Sequence, residues 1–220
     1  MKKDDAAVVS LSTSEGKSVP QLNPCWSCKG PVDKRALFCS VCGAVQGPGD
    51  TDHFTRLGLP VAYHIHTDHL DHQYFGFQRR MHPDRFAAKS SKEKALSQAQ
   101  ATALNDAYET LTDPVKRAVY LLGHVGYSVD LHGSKTVSDP VLLMEQMELR
   151  EALAEAETEE QVAALLHQAE ETAQSCQHEM VRAFQAREYA EAARLVLRLK
   201  YLTKLVEDAK GRKSRLAKGS

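Results

Sequence analysis

Apolar positions recur at spacings of three and four over most of the chain, the period of helices that bury one face. A short segment at 53–57 is closed by Gly58 and stopped by Pro60. Thr67 is placed to cap the next helix, with Asp68 favourable in its first turn. Leu70, Tyr74, Phe77 and Met81 form its stripe. Gly76 inside it costs about 1 kcal/mol relative to Ala, so this helix depends on packing. Proline disfavours helix at the residue before it, so His82-Pro83-Asp84 reads as a turn. Beyond it, Ser90 and Glu93 are spaced as a capping box for a helix carrying Leu96, Ala99, Ala103, Leu104, Ala107, Tyr108 and Leu111. Asp113-Pro114 starts a fourth helix with Val115, Ala118, Val119, Leu122 and Val125 inward.

After a polar linker at 126–137, Asp139-Pro140 opens another helix by the same logic. Here the pattern departs from an ordinary bundle helix. Leu142, Leu149, Leu153 and Ala156 share one side, while Leu143, Met144 and Met147 lie roughly opposite, bordered by Glu148 and Glu151. The second stripe either packs against the preceding helices or stays exposed as an adaptable, methionine-rich partner surface. Thr158 and Gln161 form a capping box before Val162, Leu165, Leu166, Ala169, Ala173, Cys176, Met180 and Phe184. A last helix over 189–209 turns Ala192, Leu195, Leu199, Leu202 and Val206 inward and ends near Gly211. The expected architecture is all-α: a helical hairpin at 52–126 followed by an antiparallel three-helix bundle at 138–209. Residues 1–23 read as a disordered lead and 210–220 as a basic, solvated tail.

Four of the five cysteines sit in two Cys-x-x-Cys pairs, Cys25/Cys28 and Cys39/Cys42, ten residues apart. That pattern suits one tetrahedral zinc ion held on two knuckles in a module at 24–47, with Gly30 and Gly43 easing the turns. Two disulfides or a redox pair are the rivals. They belong to a secreted protein or to a βαβ unit, for which nothing else in the chain speaks. Four thiolates close the coordination shell, so such a zinc stabilises rather than catalyses. Gly47-Pro48-Gly49 then breaks the chain. Cys176 falls on an apolar helix face, as a buried, inert thiol would.

With 28 Lys and Arg against 29 Asp and Glu, the chain has no basic excess to attract nucleic acid. No apolar run approaches the ~18 residues of a membrane span. The N-terminus has neither a secretory core nor the Arg-rich character of a transit peptide. The expectation is a partner protein in a reducing compartment: the cytoplasm, with the mitochondrial matrix as alternative.

The short first helix, the His82-Pro83-Asp84 turn and Leu104-Asn105-Asp106-Ala107-Tyr108 together resemble a J-domain. Three further segments are similar to the HscB co-chaperones of iron–sulfur cluster biogenesis. These are Phe54-Thr55-Arg56-Leu57-Gly58-Leu59-Pro60, Val119-Tyr120-Leu121-Leu122 and Leu143-Met144-Glu145-Gln146-Met147-Glu148-Leu149-Arg150-Glu151. The resemblance covers roughly residues 52–207, and the cysteine lead resembles the zinc-containing members. It implies a non-enzymatic adaptor. His82, Pro83 and Asp84 would engage a DnaK/HscA-type ATPase and stimulate it, with Arg79, Arg80 and Arg85 supplying charge complementarity. Leu143, Met144, Met147, Glu148, Glu151 and Tyr201 would grip an IscU-type iron–sulfur scaffold protein. Competing functions are a general J-protein for unfolded clients, or a zinc- or thiol-dependent enzyme. The chain lacks a Gly/Phe-rich linker and a β-rich client domain, and the closed thiolate set opposes the enzyme. The role of the zinc module stays open among docking aid, stability device and contact in a homodimer.

Overall fold

The structure is a computed structural model that describes residues 22–131 and 140–219. The expected disordered lead up to residue 21, the 132–137 part of the linker and the Asp139 cap lie outside the described residues. Two short strands and seven α-helices are seen among them. β1 (Leu22–Pro24) pairs antiparallel with β2 (Pro31–Asp33), placing Leu22 opposite Asp33, so the end of the expected disordered lead is a strand.

The helices follow as α1 (His53–Arg56), α2 (Thr67–Met81), α3 (Ser91–Thr112) and α4 (Pro114–His124). After the linker come α5 (Pro140–Glu155), α6 (Glu159–Ala186) and α7 (Tyr189–Gly219). Local capping chemistry sets most boundaries. Asp52 accepts the Thr55 amide at 2.9 Å, and Asp113 accepts those of Val115 and Lys116. Both expected capping boxes form, at Ser90/Glu93 and Thr158/Gln161, and satisfy first-turn amides. Thr67 differs from expectation: it is the first helical residue, and His66 precedes it without a side-chain capping bond. Val125 also differs, because α4 ends before it and leaves its side chain 48% exposed.

α2 and α3 form the hairpin, burying Leu70, Tyr74 and Met81 against Leu104, Ala107 and Leu111. Polar ties fix their register. The Tyr74 ring stacks on Tyr108 with centroids 4.0 Å apart. Tyr74 donates to Asn105 and Tyr108 to Asp71, both at 2.9 Å. The buried Ser97 hydroxyl donates to the Met81 carbonyl at 2.8 Å, satisfying a terminal acceptor of α2.

The hairpin and the long helices share one core. Leu121 and Leu122 of α4 belong to the same buried cluster as Cys176, Met180, Leu195 and Leu199. At this seam Tyr63 stacks on Phe184, and the buried Arg117 guanidinium lies 5.0 Å from the Tyr63 ring centre. Arg117 also donates to the Leu111 carbonyl at 2.6 Å. α6 and α7 form a long antiparallel hairpin joined through Arg187, whose φ of 59° is left-handed. A second cluster, with Leu153, Val162, Leu205 and Ala209, joins α5 to them and completes the three-helix bundle.

The expected basic tail is helical. α7 passes Gly211 and continues to Gly219 because Arg212 donates to the Ala154 and Ala156 carbonyls at the end of α5, and Leu216 packs on the second cluster. No helix among the described residues is long and apolar enough to cross a membrane.

Candidate functional site

Three places stand out for their chemistry. The first is the cysteine module. The sulfurs of Cys25, Cys28, Cys39 and Cys42 all lie within 4.8 Å of one another. Cys25 and Cys39 are buried in the module's small core with Val32 and Ala44, while Cys28 and Cys42 reach the surface. The knuckles match in register: Lys29 donates its amide to the Cys25 carbonyl and Gly43 to that of Cys39. Both stand one residue past a pair with positive φ, 64° and 73°. Gly30 therefore has another role than the one expected. A Cβ there would come within 3.1 Å of Val41 Cγ2 and 3.2 Å of Cys28 Sγ, so glycine leaves room for the sulfur.

The thiols are unequal. For Cys25, burial opposes ionisation, but the Cys28 and Ser27 amides and the Cys39 and Cys42 thiols outweigh it, bringing the pKa to about 6. For Cys28, the Gly30 amide favours the thiolate. The Cys42 sulfur, desolvation and the Cys39 and Cys25 sulfurs prevail and push it up to about 11. Four sulfurs this close ionise together only around a cation, and the set fits a structural metal site.

The second place is the turn. His82 ends α2, and Pro83–Phe86 forms a single 3₁₀ turn. The His82 and Asp84 side chains are 54% and 89% exposed. Nδ1 of His82 accepts the Asp84 amide at 3.4 Å and lies 3.5 Å from its carboxylate. With Nδ1 accepting the Asp84 amide, Nε2 is the ring nitrogen left for a partner. The three arginines are exposed. Arg79 donates back to the Phe75 carbonyl, Arg80 lies 5.1 Å from the Phe38 ring centre, and Arg85 sits on the 3₁₀ turn itself.

The third is the outer face of α5. Leu143, Met144 and Met147 are 39%, 62% and 62% exposed, so the second stripe does not pack against the hairpin. Glu148 and Glu151 are exposed beside them. Tyr201 is half-buried in the seam between α5 and α7, next to Leu142, Glu145 and Leu149, a seam that Leu143, Met144 and Met147 do not line. Cys176 is buried beneath the bundle, and burial pushes its thiol up to about 11.

Sequence reasoning missed the fastening of α5. Arg198 of α7 binds Glu145 through two bonds of 3.0 and 2.6 Å, 53 residues apart, and no local pattern announces such a pair. With Leu142 and Leu153 the only buried side chains of α5, this fork restrains the helix. Arg198→Met is expected to cost about 1–3 kcal/mol and to speed amide exchange within α5 more than in α6. Uniform acceleration across the bundle would show that the fork has no local role.

A helical hairpin joined by a His-Pro-Asp turn that exposes the His82 and Asp84 side chains, mounted on a helical bundle, is the arrangement of J-type co-chaperones. Residues 138–210 match the family described as the HSCB C-terminal oligomerisation domain. The chain is 33% identical over 186 residues to the Arabidopsis thaliana iron–sulfur cluster co-chaperone protein HscB homolog, covering 84% of this chain and 72% of that one. Against human HscB it is 32% identical over 210 residues, covering 92% and 86% of the two chains. The crystal structure of human HscB superposes with a TM-score of 0.80 at 31% identity, over 87% of this chain and 98% of that one. The chain belongs to the HscB family of iron–sulfur cluster co-chaperones.

Proposed function

We propose that the protein couples an IscU-type iron–sulfur scaffold to a DnaK/HscA-type chaperone and stimulates that chaperone's ATPase. The observation that carries this reading is the pair of exposed, chemically distinct surfaces, the His82–Asp84 turn and the outer face of α5. His82, Pro83 and Asp84 contact the chaperone and bias its conformation, without acting on ATP. Arg79, Arg80 and Arg85 steer the encounter. Leu143, Met144 and Met147 bury their apolar surface against the scaffold, Glu148 and Glu151 select basic groups at its rim, and Tyr201 adds an aromatic edge. Holding cargo and chaperone on one body raises the effective concentration of each near the other. Cys25, Cys28, Cys39 and Cys42 hold one structural zinc, favoured by a donor set of four sulfurs with no open position.

The cargo face is tested by Leu143→Ala combined with Met147→Ala. Scaffold affinity should fall about tenfold or more, as for truncation of central apolar anchors. ATPase stimulation in the absence of scaffold should be unchanged. Unaltered scaffold affinity by titration calorimetry would remove α5 from the proposed interface.

A further inference from the structure

Helix α3 carries a stripe for which neither proposed surface accounts. Lys92, Leu96 and Gln100 recur at intervals of four, so they share one face of the helix, and each meets the cysteine module. The Lys92 ammonium lies 4.5 Å from the Trp26 ring centre. The Leu96 side chain reaches Gly47, where a Cβ would stand 3.5 Å from its Cδ2. Gln100, only 2% exposed, donates to the Gln46 carbonyl at 3.1 Å. We propose that docking on this stripe sets the affinity of the metal site, with Gln46 as the positioning residue that carries the docking to the Cys25 sulfur. The proposal rests on the reading of the four cysteines as a zinc site.

Gln46 stands four residues past Cys42, at the exit of the second knuckle, where its backbone amide donates to the Leu37 carbonyl at 2.9 Å. Its side-chain Nε2 donates to the Ala44 carbonyl at 2.8 Å and to Cys25 Sγ at 3.5 Å. A carbonyl oxygen and a ligand sulfur both call for a donor, which fixes the amide with its nitrogen towards the site. Cys25 also accepts the Ser27 amide at 3.4 Å, and matching bonds run from Gly30 to Cys28 and from Val41 to Cys39. Those bonds stay within one knuckle. The Gln46 bond instead crosses from the second knuckle to the first. Donors of this kind orient a ligand atom, and their removal weakens a metal site roughly ten- to a hundredfold.

Gln100 is a poor choice for the hairpin taken by itself. A buried amide ordinarily satisfies both of its ends. Here Nε2 serves Gln46, while Oε1 is buried without a partner among the described residues. An apolar side chain would suit that core position better, so the polar one is explained by what it holds. The first knuckle is tied to the same helix by Trp26, which lies under Lys92 and donates to the Val45 carbonyl at 2.7 Å, next to Gln46. Coupling between two sites is reciprocal: if docking on α3 tightens the metal by some factor, bound metal tightens the docking equally. With the ion in place, residues 91–100 of α3 are therefore held more firmly than without it.

The test is competition for zinc between a chromophoric chelator and the full-length chain, as wild type and as the Gln46→Met and Gln100→Leu variants. Gln46→Met keeps the length of the side chain and removes the donor, so zinc affinity should fall about tenfold. Gln100→Leu touches neither the metal nor a cysteine, yet should weaken zinc about fivefold, the low end of coupling between distinct sites. The thermal midpoint of its zinc-free form should stay at or above the wild-type value, because the orphaned oxygen is gone. A merely structural role for Gln100 would move both quantities downwards together. Amide exchange across 91–100 of the wild type should slow when zinc is added. Wild-type zinc affinity in Gln46→Met would overturn the positioning role, and in Gln100→Leu the coupling to α3. If either variant loses its helical signal, the wild-type exchange decides: equal rates with and without zinc would overturn the coupling. A wild-type chain that takes up no zinc would overturn the zinc reading itself.

Discussion

His82→Gln is expected to abolish stimulation of the chaperone's ATPase while leaving scaffold affinity at its wild-type value. The substitution leaves the fold alone because His82 stands at a helix boundary with its ring exposed. What it removes is an imidazole whose Nδ1 faces the Asp84 amide and whose other nitrogen is free to contact a partner. Glutamine offers an amide of similar polarity but a different shape, and cannot present a ring nitrogen from this tip. Loss of a residue central to an interface costs about 2 kcal/mol or more, about thirtyfold in affinity. Steady-state ATP hydrolysis, measured beside calorimetric titration of the scaffold, separates the two surfaces. Simultaneous loss of both responses would place the defect in folding and remove the special role of the turn.

Metal removal should have the second large effect. The module's own core consists of little beyond Cys25, Cys39, Val32 and Ala44, too little to balance the entropy of ordering its backbone. Structural zinc contributes on the order of 10 kcal/mol in small zinc-finger peptides at neutral pH. Chelation is therefore expected to unfold 22–44 while the α-helical signal persists. Trp26 is the sole tryptophan and lies inside the module, donating to the Val45 carbonyl at 2.7 Å with the Lys92 ammonium 4.5 Å from its ring centre. Its emission should shift to the red on chelation and return on addition of zinc. Because Val45 belongs to the main core, thermal stability of the helical part should also fall. An unchanged Trp26 spectrum after complete removal of metal would show that the module holds itself together without the ion.

Features written in a few neighbouring residues were legible in the sequence. Ser90 with Glu93, Thr158 with Gln161 and Asp113 before Pro114 each set a helix start through bonds spanning two or three residues. The clustering of the four cysteine sulfurs and the double-faced α5 were also readable, since spacing alone carries them. What depends on distant partners was not. α7 runs past the expected end at Gly211, because the contacts that prolong it lie on α5, more than fifty residues away. The turn conformation expected of Gly30 belongs to Lys29, since only the folded knuckle reveals which position bends and which must spare the sulfur. The Glu145–Arg198 fork and the Phe38–Arg80 contact likewise arise only when separate elements meet.

The core shared by the hairpin and the bundle turns the molecule into a ruler. On the proposed function, packing of α4 on α7, with Tyr63 against Phe184, and the Glu145–Arg198 fork fix the His82 turn relative to the α5 face. A tethered pair of modules would average over many separations and accept cargo of any outline. A fixed span instead favours the cargo whose chaperone-bound segment falls at one distance and in one direction, so selection by reach is added to selection by affinity.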